Sequence, residues 1–304
     1  ISSAFKSVIT IYILIPFILI PQLLFSGVMV KFDKLNLNRN NPQEYVPLLG
    51  DLMTARWSFE ALAVVQFKQN RYKRHFIDYE IAANPSTYYA TFLIDKLSED
   101  LMEALKYDQM GGRDEIVNDD LSRIKYYMTY LSSGAGIRLP EALISSLSPG
   151  RLDSAAVEET KASLGAMKRK YRLISNRIIE KREAVMDSLI RAIGVEGVIR
   201  LKEEYENERL NFFVLNEDNT RMTLEKGDRL IQRYKPGYMK AVSRIGRAHF
   251  YAPIKRILNL EIDTYWFNIL ILWLLSACLY ISLYLKLPEA IINLIELRRL
   301  RKSL

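Results

Sequence analysis

Two stretches of the chain carry no charged residue, one near each end, at residues 7–30 and 264–285. At about 1.5 Å per residue as helix, each reaches roughly 33–36 Å, enough for a hydrocarbon core of roughly 30 Å. A charge at the centre of such a helix would cost about 2.5–3.5 kcal/mol. The pattern therefore predicts two membrane-spanning helices. The first carries Pro16 and Pro21. Each removes a backbone donor and frees the carbonyl four residues earlier, at Tyr12 and Phe17. Neighbouring helices satisfy such carbonyls in membrane proteins, so we read the prolines as kinks in a helix that packs within a bundle.

Between the runs, most of the apolar pattern is helical. Residues 54–68 (TARWSFEALAVVQFK) have helical propensity and an apolar centre but are too short to span, which fits an interfacial, re-entrant or core helix. Residues 69–91 read as loop, with Asn84-Pro85-Ser86 as a breaker. Helices are predicted over 93–105, 114–131 and 139–147. The longest signal runs over 154–193, where Leu164, Met167, Tyr171, Ile174 and Ile178 alternate steps of three and four, and Gly194 and Gly197 mark its end. We read it as one helix of a packed α domain rather than a coiled-coil arm. A charged helix follows over 196–210, and a short hairpin is expected around Asn216 to Asn219. Before the second run, Phe250, Tyr251, Tyr265 and Trp266 fit an aromatic belt, with Lys255 and Arg256 at headgroups.

Composition sharpens this. The chain has 304 residues and a formal charge of +8. Lys6, Lys286, Arg298, Arg299, Arg301 and Lys302 make the short ends basic, against only Glu289 and Glu296. By the positive-inside rule both ends are cytoplasmic and the middle lies outside or in the periplasm. The basic pI of about 9.3 does not imply nucleic acid, because the middle has no compact basic run interleaved with aromatics. Cys278, the single cysteine, lies inside the second run, so the middle has no disulfide. His75 and His249 are far apart in sequence and match no metal spacing. No phosphate-binding glycine loop and no catalytic pair stands out, so we expect no enzyme in this chain, no metal site and no cofactor. The chain begins with Ile1, and we read it as a fragment or a processed product.

Two phrases carry a family resemblance. LFSGVMVKFDKL, then ARWSFEALAVVQF about twenty residues later, resemble the fifth membrane helix and the re-entrant segment of G-subfamily (White-type) ABC exporter permeases. Phe25, Ser26, Gly27 and Val30 fit the first phrase. Arg56, Phe59, Glu60, Ala61, Leu62 and Phe67 fit the second, with Trp57 in place of a tyrosine. The resemblance covers residues 1–70 and 245–290, and the second run would be the last permease helix. It implies an external gate at Phe25, Val28 and Met29, and a re-entrant segment carrying Arg56, Phe59 and Glu60. It also implies ATP and Mg on an ATPase domain outside this chain. The partners would be that ATPase, the remaining permease helices and membrane lipid, in a homodimer or pseudo-dimer. The departure is the middle, far longer than the family's external loop, as in bacterial versions that fuse an ABC ATPase to such a permease.

The expected architecture is a mainly α membrane protein. A transmembrane helix (1–30) leads to an external loop and re-entrant helix (31–70). An inserted helical periplasmic domain follows (71–246), then an interfacial segment (247–263), a second transmembrane helix (264–286) and a cytoplasmic basic tail (287–304). The expected function is the permease portion of an ATP-driven exporter in a bacterial inner membrane. The rival is a two-span signal transducer with a periplasmic helical sensor. It explains the topology but not the paired prolines or the re-entrant phrase.

Overall fold

A computed structural model describes residues 7–32, 45–110, 114–150, 152–219, 222–227 and 229–287. Apart from Leu287, the expected basic tail lies outside these residues, as does most of the Asn-rich segment after the first apolar run. The described chain is mostly helical. In order it forms α1 (Val8–Leu24), α2 (Leu48–Asp51), α3 (Thr54–Gln69), α4 (Ile77–Tyr88), α5 (Ile94–Gln109), α6 (Asp114–Ala135) and α7 (Glu141–Ser146). Then come α8 (Ser154–Tyr205), α9 (Glu208–Val214), the hairpin β1 (Thr223–Lys226) and β2 (Arg229–Gln232), a second hairpin β3 (Ile254–Ile257) and β4 (Leu260–Asp263), and α10 (Thr264–Tyr284). Two compact units result. The first takes its described residues from 7–32, 45–66 and 241–287, and the second is Phe67–Lys240.

In the first unit, α10 has 21 residues and is long and apolar enough to cross a membrane. α1 has 17 residues, none of them buried, and contains Pro16 and Pro21. At about 1.5 Å per residue it reaches roughly 26 Å, less than the uncharged run from which a span was expected. The helix ends early because Ser26 and Gly27 turn the chain. Ser26 Oγ donates to the Leu23 carbonyl at 2.7 Å and accepts from the Val28 N–H at 3.2 Å. Gly27 has φ +82°, and a Cβ there would stand 2.6 Å from the rings of both Phe32 and Phe250. Only glycine fits that conformation and that gap. Phe250 in turn meets Phe32 edge-on at 4.9 Å and stacks on Phe59 at 6.3 Å, while Phe59 meets Tyr251 edge-on. Phe250 and Tyr251 therefore pack inside the unit instead of forming a belt. Trp266 remains outward, 64% exposed.

In the second unit, α5, α6 and α8 enclose the core. Leu97, Leu101, Ile124, Met128, Leu131, Leu164 and Met167 are all out of contact with solvent. Each buried Leu or Met contributes about 1.5–3 kcal/mol relative to exposure, so this face outweighs the charged outer surface of the same helices. The Tyr171 hydroxyl donates to the Leu131 carbonyl at 2.9 Å, across from Gly134, where a Cβ would strike it.

Two local expectations need correction. Residues 69–91 are largely helical, and Pro85 lies inside α4. The missing Pro N–H is tolerated because Ile77, Ile81, Ala83 and Tyr88 bury the helix, and the ladder loosens into a π-turn over Tyr89–Leu93. The hairpin falls at Thr223–Gln232, turning at Gly227, whereas Asn216–Asn219 closes the end of α9 through a left-handed Asn216. It docks because the Tyr127 hydroxyl donates to the Leu230 carbonyl and accepts from its N–H, at 3.0 and 2.8 Å. The expected break at Gly194 is present: its φ of 75° and ψ of 163° interrupt α8, and a second helical stretch continues from it to Tyr205. After this break Val198 and Leu201 join Val185 and Leu189 against Tyr72 and Phe76.

Candidate functional site

The first unit holds a buried ion cluster built from three elements. α3 supplies Arg56 and Glu60, one turn apart on one face, 1% and 0% exposed. β3 supplies Lys255 and α10 supplies Asn268, both fully buried. One oxygen of Glu60, Oε2, collects the contacts. Lys255 Nζ donates to it at 2.6 Å, Asn268 Nδ2 at 2.8 Å, and Arg56 Nη2 stands at 3.5 Å. Asn268 closes the circuit, accepting from Lys255 at 2.8 Å and donating to the Trp57 carbonyl at 3.1 Å. Lys255 is therefore turned inward onto Glu60 and Asn268 and is closed off from solvent.

Aromatic faces and a second carboxylate complete the shell. The Arg56 guanidinium lies 3.9 Å from the Trp57 ring centre, and Lys255 Nζ lies 4.6 Å from it and 5.1 Å from Phe267. Ring faces attract cations, more so when water is excluded. Asp51, at the end of α2, stands 3.6 Å from Arg56 and 3.4 Å from Arg247, and its carbonyl accepts from the Trp57 indole at 2.8 Å. Among the described residues, Glu60 Oε1 and Arg56 Nε and Nη1 have no hydrogen-bond partner.

Electrostatics keep the central pair charged. Burial alone would raise the Glu60 carboxyl, but Arg56, Lys255 and the hydrogen bonds from Lys255 and Asn268 outweigh it and hold Glu60 below the usual range. Burial pulls Lys255 down to about 8 against the attraction of Glu60, and Arg56 adds to the decrease. Burial raises Asp51 in spite of Arg56 and Arg247. Such a cluster fixes geometry, since removing one member strands the others in a dry site.

The sequence-derived candidates divide. Arg56 and Glu60 lie at the centre of the cluster, and Phe59 packs beside it on Phe250 and Tyr251. Phe25 ends α1 half-buried, while Val28 and Met29 are 49% and 71% exposed and take no part in the cluster. Pro16 and Pro21 sit within α1, and Phe17 there is exposed. Sequence reasoning missed Lys255, Asn268, Asp51 and Arg247. Asn268 did carry a signal, as an amide one turn into an otherwise apolar run. Lys255 carried none, because the adjacent Lys255-Arg256 pair hides the strand alternation.

Among the described residues, no group of three or more His, Cys, Asp or Glu side chains is placed to hold a metal ion. No protein-family model, curated protein or solved structure matches the chain.

Proposed function

We propose that this chain is the permease portion of an ATP-driven ABC exporter, forming part of the substrate pathway and its external gate. The observation that carries the reading is the pair of Asn268 hydrogen bonds to Glu60 and to the Trp57 carbonyl. Through them a short, half-apolar helix is held against the first turns of a helix able to cross a membrane. A re-entrant segment at the mouth of a pathway needs such a tether, because an apolar contact alone would not fix its register in lipid. α1, with its two prolines and exposed apolar surface, would pack against permease helices outside this chain or a second copy. Its end at Ser26-Gly27 would present Val28 and Met29 to the exit. ATP and Mg would act on a separate ATPase domain. The protein would lie in a bacterial inner membrane, with both ends cytoplasmic and the helical unit periplasmic.

The test is to isolate the native full-length protein from membranes and reconstitute it in proteoliposomes. Vanadate-sensitive hydrolysis of MgATP by the purified protein or its complex is the expected result. A preparation without such hydrolysis that carries a kinase or a methyl-accepting output domain sinks the exporter reading in favour of a signal transducer.

A further inference from the structure

The second hairpin has a feature that its own folding does not explain. Leu258, at the turn between β3 and β4, has φ 53° and is 72% exposed. Two-residue hairpin turns favour Asn or Gly where φ is positive, so a leucine is disfavoured there both by conformation and by exposure. Its neighbours repeat the pattern. Residues 244–246 run antiparallel to β3, with Gly246 N–H donating to the Arg256 carbonyl at 2.8 Å and Leu258 N–H to the Arg244 carbonyl at 2.7 Å. Ile245 thus pairs with Ile257, and Ile257 pairs with Leu260. Directly paired residues share a face of a sheet. Ile245, Ile257 and Leu260 therefore form one apolar row, with Ile245 77% and Leu260 67% exposed.

The position of this row gives it a partner. Lys255 lies two residues before Ile257, on the same face of β3, and it reaches Asn268 of α10. Gly246 lies against Phe267, since a Cβ there would stand 2.7 Å from that ring and 3.9 Å from Ile257. The hairpin therefore folds back beside the first turns of α10 instead of pointing away from them. β4 passes into α10 without a linker. Trp266, in that first turn, faces outward, and Arg244 is exposed next to the row.

We propose that the row Ile245–Ile257–Leu260, with Leu258 at its tip, inserts into the lipid of the bilayer interface where α10 enters the membrane, with Arg244 at the level of the phosphates. The hairpin then acts as a wedge that fixes the depth of α10 and of the ion cluster attached to it. The inference rests on α10 crossing a membrane, as in the proposed function.

The experiment uses the full chain with Cys278→Ser and single substitutions Ile245→Cys, Leu258→Cys, Leu274→Cys or Asn118→Cys. Each is labelled with an environment-sensitive fluorophore and reconstituted in vesicles of phosphatidylcholine and phosphatidylglycerol. Nitroxides placed shallow or deep on the acyl chains quench the labels. The expected result is quenching at positions 245 and 258 mainly by shallow nitroxides, at 274 by deep ones, and at 118 by neither. Quenching at 274 without quenching at 245 and 258 overturns the wedge and leaves the membrane reading standing. No quenching at 274 removes both. Lipid-resistant labels at 245 and 258 that cross-link between chains identify a second copy as the occupant and also overturn the proposal.

Discussion

Glu60 is a carboxylate without exposure to water, held ionised by two cations and an amide from three separate elements. Replacing it with glutamine leaves Arg56 and Lys255 facing each other in the same dry space. Breaking a buried pair from one side costs about 3–5 kcal/mol, so Glu60→Gln should lower stability by about that amount. Adding Lys255→Met removes one of the stranded cations, and the double variant should recover part of the loss. Thermal unfolding of the detergent-solubilised chain measures the cycle, and strictly additive single effects would show that the two residues are not coupled. The pH response has a definite sign. Because the folded-state pKa of Glu60 is depressed, its contribution is complete above its ordinary value of 4.5 and is lost as pH falls through the lower folded value. The i,i+4 spacing of Arg56 and Glu60 made their pairing legible in the sequence. Their convergence on Lys255 and Asn268, some two hundred residues later, left no local pattern, because tertiary folding brings these residues together.

At the scale of elements, periodicity located α5, α6 and the main part of α8, whose apolar faces repeat over several turns. It failed where burial overrode a local breaker, as at Pro85 in α4. It failed again where strands were only four residues long, as in β3 and β4, too short for alternation to stand out. Gly194 is the opposite case, a breaker that acts. Its backbone, at φ 75° and ψ 163°, lies in a region open essentially to glycine alone, and nothing stands within 4 Å of where a Cβ would be. The effect of Gly194→Ala is therefore conformational instead of steric. It should lower stability by about 1–3 kcal/mol, or let α8 straighten and release Val198 and Leu201 from Tyr72 and Phe76. Circular dichroism melts and hydrogen exchange at Tyr72 and Phe76 distinguish these two results. A variant with unchanged melting and unchanged exchange would show that the break contributes nothing.

At the scale of the whole molecule, the question is which parts lie on which side of a membrane. α10 satisfies the length requirement, with 21 residues or roughly 32 Å. α1, at roughly 26 Å, falls about 4 Å short of a hydrocarbon core of roughly 30 Å. Such a mismatch costs only fractions of a kcal/mol per Å, because the bilayer thins or flanking residues adjust. Length therefore does not decide whether α1 crosses, and charge supplies the argument. The positive-inside rule weighs Lys and Arg within about 15–20 residues of a span and hardly weighs a long translocated segment. By that rule the five basic residues after α10 would place its C-terminal side in the cytoplasm, and Lys6 would favour the same side for the start of α1. If both hold, the helical unit between them is outside. In a Cys278→Ser background, a membrane-impermeant thiol reagent applied to intact cells should label Asn118→Cys and spare both Ser3→Cys and Ser303→Cys until the membrane is opened. Labelling of Ser3→Cys and Asn118→Cys together, with Ser303→Cys protected, would mean that α1 does not cross and that α10 is the single span. Labelling of Ser303→Cys in intact cells would invert the orientation and remove the exporter reading, because an ATPase in the cytoplasm could no longer act on this end of the chain.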